Sequence, residues 1–214
     1  MIELKNLNRR ETIRYLGGAK VNSNKKIEAM MDICEQQILS YAKPKYLYKI
    51  LNLPSENIIK GNDIDNLLAG CDKAVIMCAT IGNDIDKLIR TTQISDMAKA
   101  VVLDSMASVA VEQLCNKVDK LIAQAYPNLY MTYRFSPGYG DYPIEMQKII
   151  LNLLDAQRKI GLTTNENFLL IPSKSVTAVA GLSKTPIKQK NRGCACCNMR
   201  ASCKYKESGE HCGF

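Results

Sequence analysis

Arg134-Phe135-Ser136-Pro137-Gly138-Tyr139-Gly140-Asp141-Tyr142-Pro143 is the most informative segment of this 214-residue chain. A short β-like run (residues 129–135) leads into it, and a helix-like run (143–159) follows. Pro137-Gly138 is a turn pair: proline presets φ at about −65° at one corner, and glycine accepts the positive φ that often follows. Pro143 suits the first turn of a helix, where its missing N–H is no loss. The pattern predicts a strand–loop–helix junction with a guanidinium at its start, an aromatic at its centre and free backbone N–H groups where the helix begins. Such a junction suits a small anionic or zwitterionic ligand. An ordinary tight loop with a surface arginine fits the composition equally well.

The flanking sequence sets the fold class. Residues 8–16 read as a short helix stopped by Gly17-Gly18. Residues 24–42 read as a longer one, with Ser23 or Asn24 as cap and Ile27, Met30, Met31, Cys34, Ile38 and Tyr41 at helical spacing. Residues 46–51 form a strand, 63–69 a short helix and 73–80 an apolar strand buried on both faces. Helices over 83–91 and 95–125 follow, the second with an apolar stripe of Ala98, Val101, Val102, Met106, Val109 and Leu114. A strand at 130–135, the helix 143–159 ended by Gly161, and a closing hairpin of 168–171 with 175–182 complete the body. Strands and helices mix without regular βαβ alternation. The fold class is therefore α+β, a mainly antiparallel bent sheet flanked by helices, with a Cys-rich C-terminal tail.

The R-x-x-P-G-Y-x-x-x-P pattern at 134–143 resembles the signature of the S-adenosylmethionine-binding activation domain of cobalamin-dependent methionine synthase. Gly161-Leu162-Thr163-Thr164-Asn165-Glu166-Asn167-Phe168-Leu169-Leu170-Ile171-Pro172 is similar to that family's G-x-x-L-T-E-S-x-x-M-x-P, and Ser175-Val176-Thr177-Ala178 to its S-V-S-G. Ala79-Thr80-Ile81-Gly82 with Asp84 and Asp86 looks like stand-alone members of the group. The resemblance covers residues 1–184, is strongest from 134 to 178, and stops short of the tail. It implies a stand-alone activation subunit for a methionine synthase whose main chain lacks this domain. In the implied reaction a partner's inactive cob(II)alamin takes one electron and then a methyl group from S-adenosylmethionine, giving methylcobalamin and S-adenosylhomocysteine.

The resemblance also implies site residues. Arg134 would pair with the donor's carboxylate, and the backbone of Pro137, Gly138 and Tyr139 would line its nucleoside. Tyr139 would also face the corrin of a docked partner. Glu166 would bond a ribose hydroxyl or the donor's amino group, although a solvated loop carboxylate is the plainer reading. Two rivals keep the fold: service to another corrinoid methyltransferase, and a binding or adaptor module that docks on such a protein without donor turnover.

Composition narrows the chemistry. Hydrophobic content of 46% and charged content of 23% are those of a soluble globular protein. No run approaches the roughly 18 apolar residues of a membrane span, and the N-terminus lacks a signal-peptide core, so the expected location is cytoplasmic. The formal charge is +8, of which residues 184–214 carry +5, leaving +3 for the body. With no Trp and three Phe there is no stacking platform, and nucleic acid is not an expected partner. His211 is the only histidine, which excludes Ser-His-Asp, Cys-His and His-ligated metal sites from the body. Rossmann and Walker A fingerprints are absent. So is the D-x-H-x-x-G of cobalamin modules, which means that a partner must carry the corrin. Methyl transfer from a sulfonium suits a histidine-free site, because the donor is already activated and needs mainly positioning.

Nine cysteines divide into two groups. Cys34, Cys71, Cys78 and Cys115 lie singly in apolar segments and read as small core residues. Five more fall in the last 21 positions. Of these, Cys194, Cys197, Cys203 and Cys212 make a ligand set for an iron–sulfur cluster or a zinc ion, with reactive or disulfide-forming thiols as the alternative. The basic segment 185–214 also suits docking to an acidic electron carrier.

Overall fold

The computed structural model describes residues 2–17, 25–55 and 58–187. Its centre is β2 (Lys73–Thr80), whose run Ala-Val-Ile-Met-Cys-Ala offers no polar face to water and so must be covered on both sides. Strand β2 pairs antiparallel with β1 (Lys45–Asn52) on one side and with β6 (Ser175–Ser183) on the other, placing Ile76 opposite both Lys49 and Val179. Strand β3 (Tyr130–Met131) adds to β6, giving a four-stranded antiparallel sheet in the order β1-β2-β6-β3. The predicted α+β class with an antiparallel sheet and flanking helices is what the chain adopts.

Alternation along β2 feeds two cores. Val75, Met77 and Ala79, with Ala178 and Leu182 of β6, pack beneath α2 (Lys25–Tyr41), α4 (Asn83–Ser95) and α5 (Met97–Ala125). Helix α1 (Arg9–Tyr15) lies against α5, its first turn capped by Asn8, whose side chain accepts from the Glu11 N–H. Ala74, Ile76, Cys78 and Val179 face the second core, beneath α3 (Asn62–Leu68) and α6 (Met146–Leu154). Cys34, Cys78 and Cys115 are buried as expected, and desolvation pushes the Cys34 thiol up to about 11 and Cys78 up to about 12. These are inert packing groups. Cys71 is only half-buried.

Four details depart from expectation. In α5 the buried face runs through Ala100, Leu103, Met106, Ala107 and Ala110, while Val101 is 50% exposed and Ala98 is also exposed. Val102, Met106, Val109 and Leu114 of the expected stripe are buried; small alanines let the helix approach its neighbours closely, so the buried face is wider than bulk alone marks. The predicted helix 143–159 breaks at Asp155, which sits left-handed (φ 54°, ψ 42°) between α6 and α7 (Ala156–Ile160). The predicted closing hairpin does not form, because β5 (Leu170–Ile171) pairs with β4 (Thr163–Thr164) and β6 continues the main sheet. Asp86 on α4 accepts from the N–H and Oγ of Ser173, at 2.7 and 2.8 Å, and pins the connection between β5 and β6.

The fourth departure concerns 130–135, where only Tyr130 and Met131 form a ladder and Phe135 rejoins the sheet in a lone bridge to Val179. Met131 is opposite Leu182 but Phe135 is opposite Val179, so this side carries one extra residue, a β-bulge. Thr132 closes it: its N–H donates to the Gly181 carbonyl at 2.9 Å, and its Oγ1 accepts from the Gly181 N–H at 2.8 Å.

Among the described residues, no helix is long and apolar enough to cross a membrane, and no three His, Cys, Asp or Glu side chains cluster to hold a metal. Cys194, Cys197, Cys203 and Cys212 lie outside the described residues.

Thr132→Val should destabilise the protein by about 1–3 kcal/mol, since it leaves a buried N–H at Gly181 without an acceptor. Thr132→Ser should retain most of the stability. Urea unfolding of the two variants checks this.

Candidate functional site

The bulge at Thr132 decides where the signature side chains go. Tyr133 and Phe135 turn into the second core, and Arg134 between them turns to the opposite side, onto α5. There its guanidinium donates to Asp119, to Glu112 Oε2 at 3.0 Å and to Asn116 Oδ1 at 3.0 Å. The Arg134 side chain is only 15% exposed, whereas that of Glu112 is 48% exposed. Arg134 is therefore a seated ion-pair residue and not a loose loop-edge arginine.

Its partners belong to one ridge of α5. Asp104, Ser108, Glu112, Asn116 and Asp119 recur at three- and four-residue spacing, beside the buried stripe. Lys174 closes the near end of that ridge, with Nζ 2.8 Å from Asp104 and 3.0 Å from Ser108 Oγ. Sequence reasoning did not find Glu112 or Asn116. The available signal was polar residues at helical spacing along the flank of an apolar helix.

The loop after Phe135 folds back over the second core. The Phe135 and Tyr142 rings stack with centroids 6.1 Å apart, and the buried Tyr142 hydroxyl donates to the Ile58 carbonyl at 3.0 Å. Asp141 then caps α3 from a distance: its carboxylate accepts from the Asn62 and Asp63 N–H groups at 2.7 and 2.9 Å, and Asp63 accepts in return from the Asp141 N–H at 3.2 Å. The approach is so close that a Cβ on Gly140 would collide with the Asp63 carboxylate, and one on Gly61 would lie 2.7 Å from Asp141. Gly140 also has φ +55°, which disfavours any other residue there.

This geometry engages several of the N–H groups expected to be free. Gly138 donates to the Tyr142 carbonyl at 2.8 Å and Tyr139 to that of Ser136 at 3.3 Å. Met146, Gln147 and Lys148 donate to Pro143, Ile144 and Glu145. The loop exposes Gly138, Gly140, Asp141 and the Tyr139 ring, which is 62% exposed; Pro137 is buried.

Glu166 lies elsewhere. It lines a concavity of about 590 Å³ with Lys148, Asn152, Asp155, Asn165 and Phe168, and none of Arg134, Pro137, Gly138 or Tyr139 reaches that space. The Ser175 block has a framework role: Ser175 Oγ lies 2.8 Å from Thr80 Oγ1, and Thr177 donates to Gln147 Oε1 at 3.2 Å. These bonds tie β6 to the end of β2 and to α6.

No protein-family model matches the chain, and no curated protein matches it in sequence. Its fold is that of a solved structure, the MetH reactivation domain bound to AdoHcy. The match has a TM-score of 0.58 at 15% identity and covers 87% of this chain and 71% of that one.

The hydrogen bonds from Asn62 and Asp63 hold the Asp141 carboxyl below the usual carboxylate range. A folded-state pKa below the unfolded value stabilises fully above the unfolded value and is lost as pH falls through the folded one. Wild type should therefore melt above Asp141→Asn at neutral pH, and the gap should close on acidification below about pH 4. Thermal unfolding of both proteins at pH 7 and pH 3 measures it.

Proposed function

We propose that this chain binds S-adenosylmethionine at the Arg134 cluster and presents its methyl group to cobalamin carried by a partner, a methionine synthase or related corrinoid protein. The carrying observation is the Arg134–Glu112 pair beside edge strand β3, in a fold shared with a domain solved with AdoHcy bound. An amino-acid end presents one carboxylate and one ammonium. Arg134 offers the fork for the first, and half-exposed Glu112 the anion for the second. Binding is then an exchange, in which the ligand's carboxylate enters beside the guanidinium as Glu112 turns to the ammonium. Asn116 and Asp119 hold the guanidinium in place meanwhile.

In this reading Glu112 takes the amino-group role and Glu166 stands apart. The nucleoside crosses the open edge of β3 toward Pro137, Gly138 and Tyr139, whose exposed ring meets the partner. The corrin would supply the nucleophilic metal centre, and this chain orients the donor and excludes water. No acid or base is needed. Residues 1–184 form the donor-binding unit in this proposal, and residues 185–214 serve electron delivery or docking through Cys194, Cys197, Cys203 and Cys212. Analysis of anaerobically prepared protein checks the tail: iron with sulfide supports a relay, zinc alone supports docking, and a metal-free tail removes it from the scheme.

One observation favours the adaptor alternative. Arg134 is already matched by acids of its own chain. Calorimetry with S-adenosylmethionine decides between the two. Wild type should bind, and Arg134→Ala should bind more weakly by about 1.5–3 kcal/mol, the range for a hydrogen bond to a charged group. Unchanged affinity removes Arg134 as a ligand, and no binding by wild type leaves the adaptor.

A further inference from the structure

We infer that Tyr15, stacked beneath Arg14 on α1, is the aromatic wall of the Arg134–Glu112 cluster and makes the site select ligands that join an amino-acid end to a planar ring. This rests on the proposed donor site and adds a specificity residue to it.

Position comes first. The chain before α1 is lashed antiparallel along α5: Lys117 donates to the Glu3 carbonyl, Gln113 Nε2 to that of Asn6 at 3.2 Å, and Asn8 N–H to Gln113 Oε1 at 3.0 Å. Each step along residues 3–8 therefore moves toward the N-terminus of α5, and α1 continues from there against the same helix. Thr12 is buried, and Ile13 and Leu16 pack on the core, which leaves Tyr15 on another side of the helix. Its phenol is raised above the ordinary value, mainly by burial; Arg14 opposes the rise and the negative charge of Glu112 adds to it, consistent with that placement.

Shape comes second. The Tyr15 ring is 46% exposed, a large aromatic surface that the core does not use. Glu11 grips the neighbouring guanidinium, at 2.9 Å to Arg14 Nε and 2.8 Å to its NH2, and the guanidinium carbon lies 4.6 Å from the Tyr15 centroid. A guanidinium laid on a phenol is a planar cationic platform, fixed before any ligand arrives. Set beside a group for a carboxylate and a group for an ammonium, it offers a place for an adenine ring to stack.

The test uses the full chain, with calorimetry of S-adenosylmethionine and of methionine, which lacks the ring. Tyr15→Ala should bind S-adenosylmethionine roughly ten-fold more weakly, the scale of one lost base–aromatic stack. Tyr15→Phe should restore the affinity, and methionine should bind wild type and Tyr15→Ala alike. Wild-type affinity of Tyr15→Ala for S-adenosylmethionine overturns this inference and leaves the donor site standing. Equal losses for both ligands overturn it too, because the ring would then not be what is recognised. No binding of S-adenosylmethionine by wild type overturns the donor site and this inference together.

Discussion

Two-sided burial of β2 is the constraint on which everything else depends. Six successive side chains, Ala74 to Ala79, are buried, alternating between two cores. Each large one contributes about 1.5–3 kcal/mol by leaving water, and truncating it costs about 2–5 kcal/mol. An exposed ion pair contributes at most about 1 kcal/mol. The fold is thus decided by this strand and its two covers, and the polar groups around it set geometry more than stability. They collect at the end of β2, where Thr80 accepts from the Gly82 N–H and meets Ser175, and on the flank of α5.

Placement of the candidate site follows from one extra residue. Without the bulge at Thr132, strict alternation from Met131 would send Tyr133 and Phe135 to the α5 side and Arg134 to the second core. The insertion reverses that assignment. It packs two half-buried aromatic rings against the second core and delivers the guanidinium to carboxylates that match it. Asp63 and Asp141 then hold the following loop by mutual capping, so the signature segment is fixed at both ends by groups distant in sequence.

Much of this was legible from local chemistry. The boundaries of β2 were readable because an apolar run bounded by polar residues has few alternatives, and α1 because Gly17-Gly18 stops a short helical run. The R-x-x-P-G-Y pattern marked a structured turn, and the likeness of fold persists at 15% identity because packing constrains residue type more than residue identity. What escaped was nonlocal. Glu112 and Asp119 lie 22 and 15 residues before Arg134, on a helix that reads as core. The turn N–H groups looked free because their acceptors, among them the Tyr142 carbonyl and Asp63, are set by how the loop folds back. The break at Asp155 was missed because aspartate tolerates the left-handed conformation without glycine's obvious signal.

The two open margins of the sheet differ in a way that bears on solubility. At one, β1 carries exposed Lys45 and Lys49, whose charges repel an incoming strand. At the other, β3 has two ladder residues followed by a kink, too short and too irregular to template a neighbour. Surface that must stay uncovered to admit the proposed donor is the surface most exposed to self-association. Here the distortion that aims Arg134 also spoils the template, so one irregularity leaves the margin uncovered and poorly shaped for strand addition.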